Sequence, residues 1–401
     1  MNTVTTPSLR PPPPAPPFWL TPAACRLQDL IDLATQTTVL ADYPLAAAVQ
    51  SNVLLYDGDA LRARLADADA VRAMQAEWGA ALLHGPGIVV LKKAVADLDV
   101  IDEVNAVFQA IISEQQAAGA GGGDHFAKPG ANDRIWNAQQ KLCLRAPAAF
   151  ARYYGNPLLA LICVAWLGPA YQVTAQVNVV NPGGAAQAPH RDYHLGFQSQ
   201  QGSAAYPAHV HQLSAGLTLQ GAVAHCDMPL ATGPTLYLPH TQKYLPGYLA
   251  YHQPEFRDYF ARHHVQLALE KGDAVFFNPA LFHAAGHNRS TDVKRIANLL
   301  QVSSPFGRAM ESLDRRAMSA ALYPALLELG AQGRMTAAEV GHAVAACAEG
   351  YSFPGNLDRD PPLGGLAPQT QQQILLQALA GQWPPQRLND ALQHKAWQRQ
   401  A

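Results

Sequence analysis

The tripeptide His190-Arg191-Asp192 and the distant His283 place the tightest constraint on how this chain can fold. In an extended segment successive side chains alternate faces, so His190 and Asp192 point one way and Arg191 the other. A single strand edge can then offer an imidazole and a carboxylate together. His283 closes the run Gly272-Asp273-Ala274-Val275-Phe276-Phe277-Asn278-Pro279-Ala280-Leu281-Phe282-His283, in which a turn dipeptide precedes an apolar, strand-like segment. For the three side chains to meet, strands remote in sequence must become neighbours. A double-sheet jelly roll does this, bringing loops and strand ends together at its mouth. Two imidazoles and one carboxylate can occupy one face of an octahedral Fe(II), leaving three positions open for an organic co-substrate and O2.

An isolated His-x-Asp is a weak signal, and its surroundings give it weight. Between the two groups lies Gly233-Pro234-Thr235-Leu236-Tyr237-Leu238-Pro239-His240-Thr241-Gln242-Lys243. After His283 come Gly286-His287-Asn288-Arg289-Ser290 and then Arg295-Ile296-Ala297-Asn298-Leu299-Leu300-Gln301-Val302. In this order, across roughly residues 85–305, the segments resemble the phytanoyl-CoA dioxygenase family of Fe(II)- and 2-oxoglutarate-dependent oxygenases. The resemblance implies an α+β fold with a double-stranded β-helix (jelly-roll, cupin-like) core flanked by N-terminal and C-terminal helices. It also implies His190, Asp192 and His283 as iron ligands, and Arg295 as the partner of the distal carboxylate of 2-oxoglutarate. The implied reaction hydroxylates a small organic substrate, which the sequence leaves unidentified, and releases succinate and CO2.

Two departures from the family pattern bear on the site. Ala285 stands where the family often has a hydroxyl two residues after the distal histidine, so Ser290 or Thr218 is expected to take its place beside the co-substrate. The turn Pro239-His240-Thr241-Gln242 replaces Pro-Gly-Ser-His. Related halogenating enzymes carry a small residue at the carboxylate position, so the retained Asp192 favours hydroxylation or desaturation. On the preceding strand, Thr174, Gln176 and Asn178 share a face. Gln176 and Asn178 become co-substrate or substrate contacts if that face looks into the barrel, and a solvated face would show the same alternation.

Two other readings use the same residues: a cupin-like metalloenzyme that does not use 2-oxoglutarate, and a catalytically silent jelly-roll binding protein. Arg295 separates the first from the oxygenase, because only the oxygenase needs a cation near the metal.

Composition fits a soluble enzyme of small molecules. Half of the 401 residues are hydrophobic (49%) and the formal net charge is −2. No basic stripe points to nucleic acid, no apolar run reaches the roughly 18 residues of a membrane span, and the five scattered cysteines read as reduced core residues. A cytoplasmic setting is expected. The chain divides into a flexible Pro-rich tail (1–20), an oxygenase domain with N-terminal helices (21–305) and a helical extension packed on it (306–401), which also offers a surface for a homodimer.

Helical spacing is expected over residues 60–83 and 97–118, around a buried strand at 88–91. The segment Asp124-His125-Phe126-Ala127-Lys128 and Asn132 to Asn137, beside a glycine run, reads as a lid or as a surface loop pinned by Trp136. His194 is the best rival ligand, although its spacing from His190 would need a helix. Asp358-Arg359-Asp360 reads as a structural loop or as a closing segment over the site.

Overall fold

The computed structural model describes residues 17–119, 130–353 and 355–401. Most of the Pro-rich tail, and the candidate lid at residues 124–128, lie outside the described residues. Eleven strands are present among the described residues: β1 (Ala48–Gln50), β2 (Val53–Asp57), β3 (Ile88–Lys92), β4 (Asn132–Ile135), β5 (Gln172–Val180), β6 (Thr218–Ala224), β7 (Leu236–Leu238), β8 (Val265–Gln266), β9 (Ala274–Phe277), β10 (Phe282–Ala284) and β11 (Arg295–Ser303). They form an eight-stranded sheet, β1-β2-β3-β9-β6-β11-β5-β4, and a three-stranded sheet, β10-β7-β8. All pairings are antiparallel except β2 with β3. The small sheet is lengthened by a bridge between His190 and His283 and another between Met228 and Leu269. Two facing sheets flanked by helices make the jelly roll expected from the sequence.

Period-two patterning sorts the side chains of these strands. On β5, Val173, Ala175, Val177 and Val179 enter the core shared with the helices, while Gln176, Asn178 and Val180 face the cavity between the sheets. On β11, Leu300 and Val302 join the same helical core, and Arg295, Ala297, Leu299 and Gln301 face inward. In the small sheet Leu238, Phe282 and Ala284 pack outward against Tyr248 and Phe256, which leaves Tyr237 and His283 inside. A large helical core including Trp78, Phe108, Phe150 and Leu326 covers the outer face of the large sheet. Burial of each such side chain contributes roughly 1.5–3 kcal/mol.

The helical expectations hold with local differences. Residues 60–83 form two helices, Gly58–Arg62 and Ala68–Leu83, because Asp57 and Asp67 each accept hydrogen bonds from the first backbone amides and start a helix. Helices also interrupt the strands of the barrel region, at Ala208–Gly216 and Pro254–His263. Asn132–Ile135, read as part of a loop, is an edge strand paired with β5. The C-terminal helices Arg315–Ala331 and Ala337–Cys347 pack on Pro147–Tyr154, so the tail shares the core of the barrel. Asp360 forms a buried ion pair with Lys395 at 2.6 Å, and Arg359 lies 4.8 Å over the Trp397 ring. That loop is tied to the last helix, and neither residue lines the cavity. Among the described residues no single helix is long and apolar enough to cross a membrane.

A buried polar network joins the large sheet to its helices. His225 Nδ1 faces Asn105 Oδ1 at 2.7 Å and His225 Nε2 faces the Tyr153 hydroxyl at 2.8 Å, while Asn298 Nδ2 donates to the same hydroxyl at 3.1 Å. An amide oxygen only accepts, so Nδ1 carries the proton and Nε2 accepts from Tyr153. Burial pushes the His225 pKa down to about 3. Because the folded value lies below the unfolded one near 6.5, the contribution to stability is complete above pH 6.5 and is lost as pH falls toward 3, by up to about 1.4 kcal/mol per pH unit. Urea melts at pH 7.5 and 5.0 are expected to show a smaller pH effect in His225→Gln than in the wild type. An equal pH effect in the two proteins would contradict this assignment.

Candidate active site

His190 and His283 face each other across the bridge that lengthens the small sheet. The His190 amide donates to the His283 carbonyl at 2.9 Å, and the His283 amide returns the bond at 3.2 Å. The ring centroids lie 4.5 Å apart. Each ring is oriented by its own chain, His190 Nδ1 to Ala188 O and His283 Nδ1 to Leu281 O, both at 2.9 Å. A carbonyl cannot donate, so Nδ1 carries the proton in both rings and Nε2 presents a lone pair. Those two Nε2 atoms meet the Asp192 carboxylate, at 3.6 Å from Oδ1 to His190 and 3.3 Å from Oδ2 to His283. One ligand atom from each of the three residues lies within 4.8 Å of the others.

The charge state of the triad favours a cation. Burial pushes the His190 imidazole pKa down and so keeps the ring neutral. Burial acts upward on the Asp192 carboxyl, while a hydrogen bond from Gln220 Nε2 to Oδ2 acts downward and favours the ionised form. Three acceptors pointing at one another cannot satisfy one another by hydrogen bonding. A divalent cation among them would satisfy all three, so the donor set fits Fe(II).

Arg191, on the opposite face, anchors the motif from below. Its Nη2 donates to the carbonyls of Thr241 at 2.6 Å and Tyr244 at 2.8 Å, and its guanidinium lies 5.1 Å from the rings of both Tyr248 and Phe282. The fit requires glycine at 247, where a Cβ would come within 1.9 Å of Arg191 Cζ. Beyond Asp192 the chain turns through Tyr193 (φ 61°) and His194 (φ 43°), a backbone region that costs roughly 1–3 kcal/mol for each residue with a side chain. Tyr193 is thereby set into the cavity wall, its buried hydroxyl without a hydrogen-bond partner among the described residues. The rival ligand His194 turns away to Ser214 at 3.4 Å and takes no part in the triad.

The cavity above the triad measures about 1060 Å³. Arg295 enters its wall from the first residue of β11, only 6% exposed, with Nη1 donating to Thr232 O at 3.3 Å. Burial pushes its pKa down to about 10, so the guanidinium remains charged at neutral pH. Gln176 and Asn178 face the cavity and are braced from β4. Arg134 donates to Gln176 Oε1 at 2.7 Å and Asn132 to Asn178 Oδ1 at 3.2 Å.

The hydroxyl expectation needs correction. Ser290 does not line the cavity; its hydroxyl donates to Asn288 Oδ1 at 2.6 Å and closes the turn before β11. Thr218, at the start of β6, is likewise outside the lining. Among the hydroxyl-bearing residues on the wall, Thr235 and Tyr237 come from the segment that pairs with the distal-histidine strand. In the β10–β7 register His283 pairs with Tyr237, and one step further places Thr235 across from Ala285. The alternation in Thr235-Leu236-Tyr237-Leu238 already puts the two hydroxyls on one face.

Residues 56–296 match the phytanoyl-CoA dioxygenase (PhyH) family, and the chain belongs to that family. It is therefore an oxygenase-like enzyme whose cofactor and co-substrate are Fe(II) and 2-oxoglutarate. Among solved structures it is similar to SnoN, a non-heme α-ketoglutarate-dependent epimerase from nogalamycin biosynthesis, at 20% identity and a TM-score of 0.38, over 60% of this chain and 84% of SnoN. The complex of SnoN with Fe3+, α-ketoglutarate and nogalamycin RO gives 19% identity and a TM-score of 0.40, over 60% and 85% of the two chains. AviO1 from Streptomyces viridochromogenes Tue57 is 15% identical with a TM-score of 0.40, over 56% of this chain and 93% of AviO1. No curated protein matches the chain by sequence.

Proposed function

We propose that the protein is a dioxygenase that hydroxylates a small organic molecule, with His190, Asp192 and His283 as the iron ligands. The reading rests on one observation: three mutually facing acceptor atoms at the base of a cavity whose wall also presents the buried guanidinium of Arg295. When loaded, such a centre supplies oxidative decarboxylation of 2-oxoglutarate by O2 to succinate and CO2, coupled to oxidation of the organic substrate.

The chain's own residues bind and orient. Arg295 would hold the distal carboxylate of 2-oxoglutarate, a task that suits a planar guanidinium better than an ammonium. Thr235 and Tyr237 replace the hydroxyl that is missing at Ala285. Val90, Val275, Phe277 and Leu299 give the pocket an apolar lining that limits water near the reacting groups. At about 1060 Å³ the cavity reaches the upper end of ligand pockets, which run to roughly 1,000 Å³, so it has room for an organic substrate beside the small co-substrate. Gln176, Asn178 and Tyr193 lie on that wall as substrate contacts. The retained Asp192 leaves no vacant ligand position for halide and favours hydroxylation.

Aerobic incubation with Fe(II) and 2-oxoglutarate tests this reading. Slow succinate release that requires both Fe(II) and O2 and stops on chelation is expected even before a substrate is found. Absence of any Fe(II)-dependent succinate would contradict it.

A further inference from the structure

Gln220 stands in the middle of β6, opposite Phe277 of β9 and Gln301 of β11, with its side chain in the cavity wall. Its Nε2 donates to Asp192 Oδ2, the same oxygen that lies 3.3 Å from His283 Nε2. Among the described residues the ion-pair partners of Asp192 are the two histidines, and no lysine or arginine steers the carboxylate. A carboxylate oxygen only accepts, so the amide can take one orientation: NH2 toward Asp192, oxygen away from it. The oxygen turned away, Oε1, is buried and has no hydrogen-bond partner among the described residues. The side chain thus sits with its NH2 end committed to Asp192, in a strand whose place in the sheet is fixed by pairing on both sides.

We infer that Gln220 is a positioning residue of the metal centre. By occupying Oδ2 it holds Asp192 to coordination through one oxygen, which keeps the carboxylate from closing over a position that the co-substrate requires. The inference rests on the reading that His190, Asp192 and His283 hold the metal. Partners of this kind, one step removed from a metal, orient the ligand they touch, and their loss typically weakens metal binding about 10- to 100-fold.

The test uses Co(II) with the metal-free full chain under anaerobic conditions, comparing wild type, Gln220→Leu and Gln220→Met. Both substitutions remove the donor at similar size, and the unbranched methionine serves if leucine prevents folding. The expected result is a Co(II) dissociation constant raised about 10- to 100-fold. A changed visible ligand-field spectrum should accompany it, reporting the released carboxylate, with far-UV circular dichroism as in the wild type. Wild-type affinity and spectrum in a folded Gln220 variant would overturn the role of Gln220 alone. Failure of the wild type to bind Co(II), or binding that survives His283→Ala, would overturn the ligand assignment on which the inference rests.

Discussion

Replacing His283 with alanine is expected to lower Fe(II)-dependent succinate formation by at least about 100-fold while leaving the protein folded. Groups that merely touch a ligand change metal affinity about 10- to 100-fold, so removal of a ligand itself should do no less. The fold should survive because the contacts that hold this segment are main-chain ones: the two hydrogen bonds exchanged with His190 and the pairing of β10 with β7 use no imidazole atom. What disappears is a ring already fixed by Leu281 O and by an edge contact with Phe277 at 4.8 Å, presenting its Nε2 to the site. Succinate assays with a thermal melt of the same preparation separate loss of the metal from loss of structure. Wild-type succinate formation in a folded His283→Ala would place the ligands elsewhere.

Arg295→Leu should raise the 2-oxoglutarate KM without destabilising the protein. Truncating one member of a buried charged pair costs about 2–5 kcal/mol in binding, equivalent to roughly a 30-fold to several-thousand-fold weaker interaction. Stability should respond in the opposite sense. The guanidinium is buried, has one hydrogen bond to a backbone carbonyl, and its pKa has been pushed down to about 10 by desolvation, a penalty on the order of 3 kcal/mol. Replacing a buried cation with an apolar side chain is neutral or stabilising where no buried anion is left behind, and leucine, though shorter, removes the desolvation penalty. A raised KM with an unchanged or higher melting temperature would mark Arg295 as a residue kept for its ligand. An unchanged KM would move the carboxylate site away from β11.

Much of this architecture was legible in the chain because alternation survives folding intact. The common face of His190 and Asp192, the opposite turn of Arg191, and the shared face of Gln176 and Asn178 follow from a period of two, whereas the fold decides that the last of these looks into the cavity. The less legible features depend on which strand lies beside which. Thr235 stands across from Ala285 only because β7 pairs with β10 in one register, and Gln220 reaches Asp192 only because β6 lies next to β9. Ser290 was a reasonable candidate by order along the chain, but a serine two residues after an asparagine readily closes a local turn, and here its hydroxyl does so. Asp67 caps the second of the two helices, a boundary hidden inside an apolar spacing that runs past it. The helices within the barrel region interrupt the strand pattern without changing the order of the motifs.

The central claim, that one triad holds Fe(II) and chelated 2-oxoglutarate, is tested most directly by anaerobic titration of the Fe(II)-loaded protein with 2-oxoglutarate, following the weak visible charge-transfer band of an iron-chelated 2-oxo acid. A saturable band in the wild type that is absent from His190→Ala is the predicted result. Bound Fe(II) that gives no band at saturating 2-oxoglutarate, or a band that persists in His190→Ala, would contradict the account.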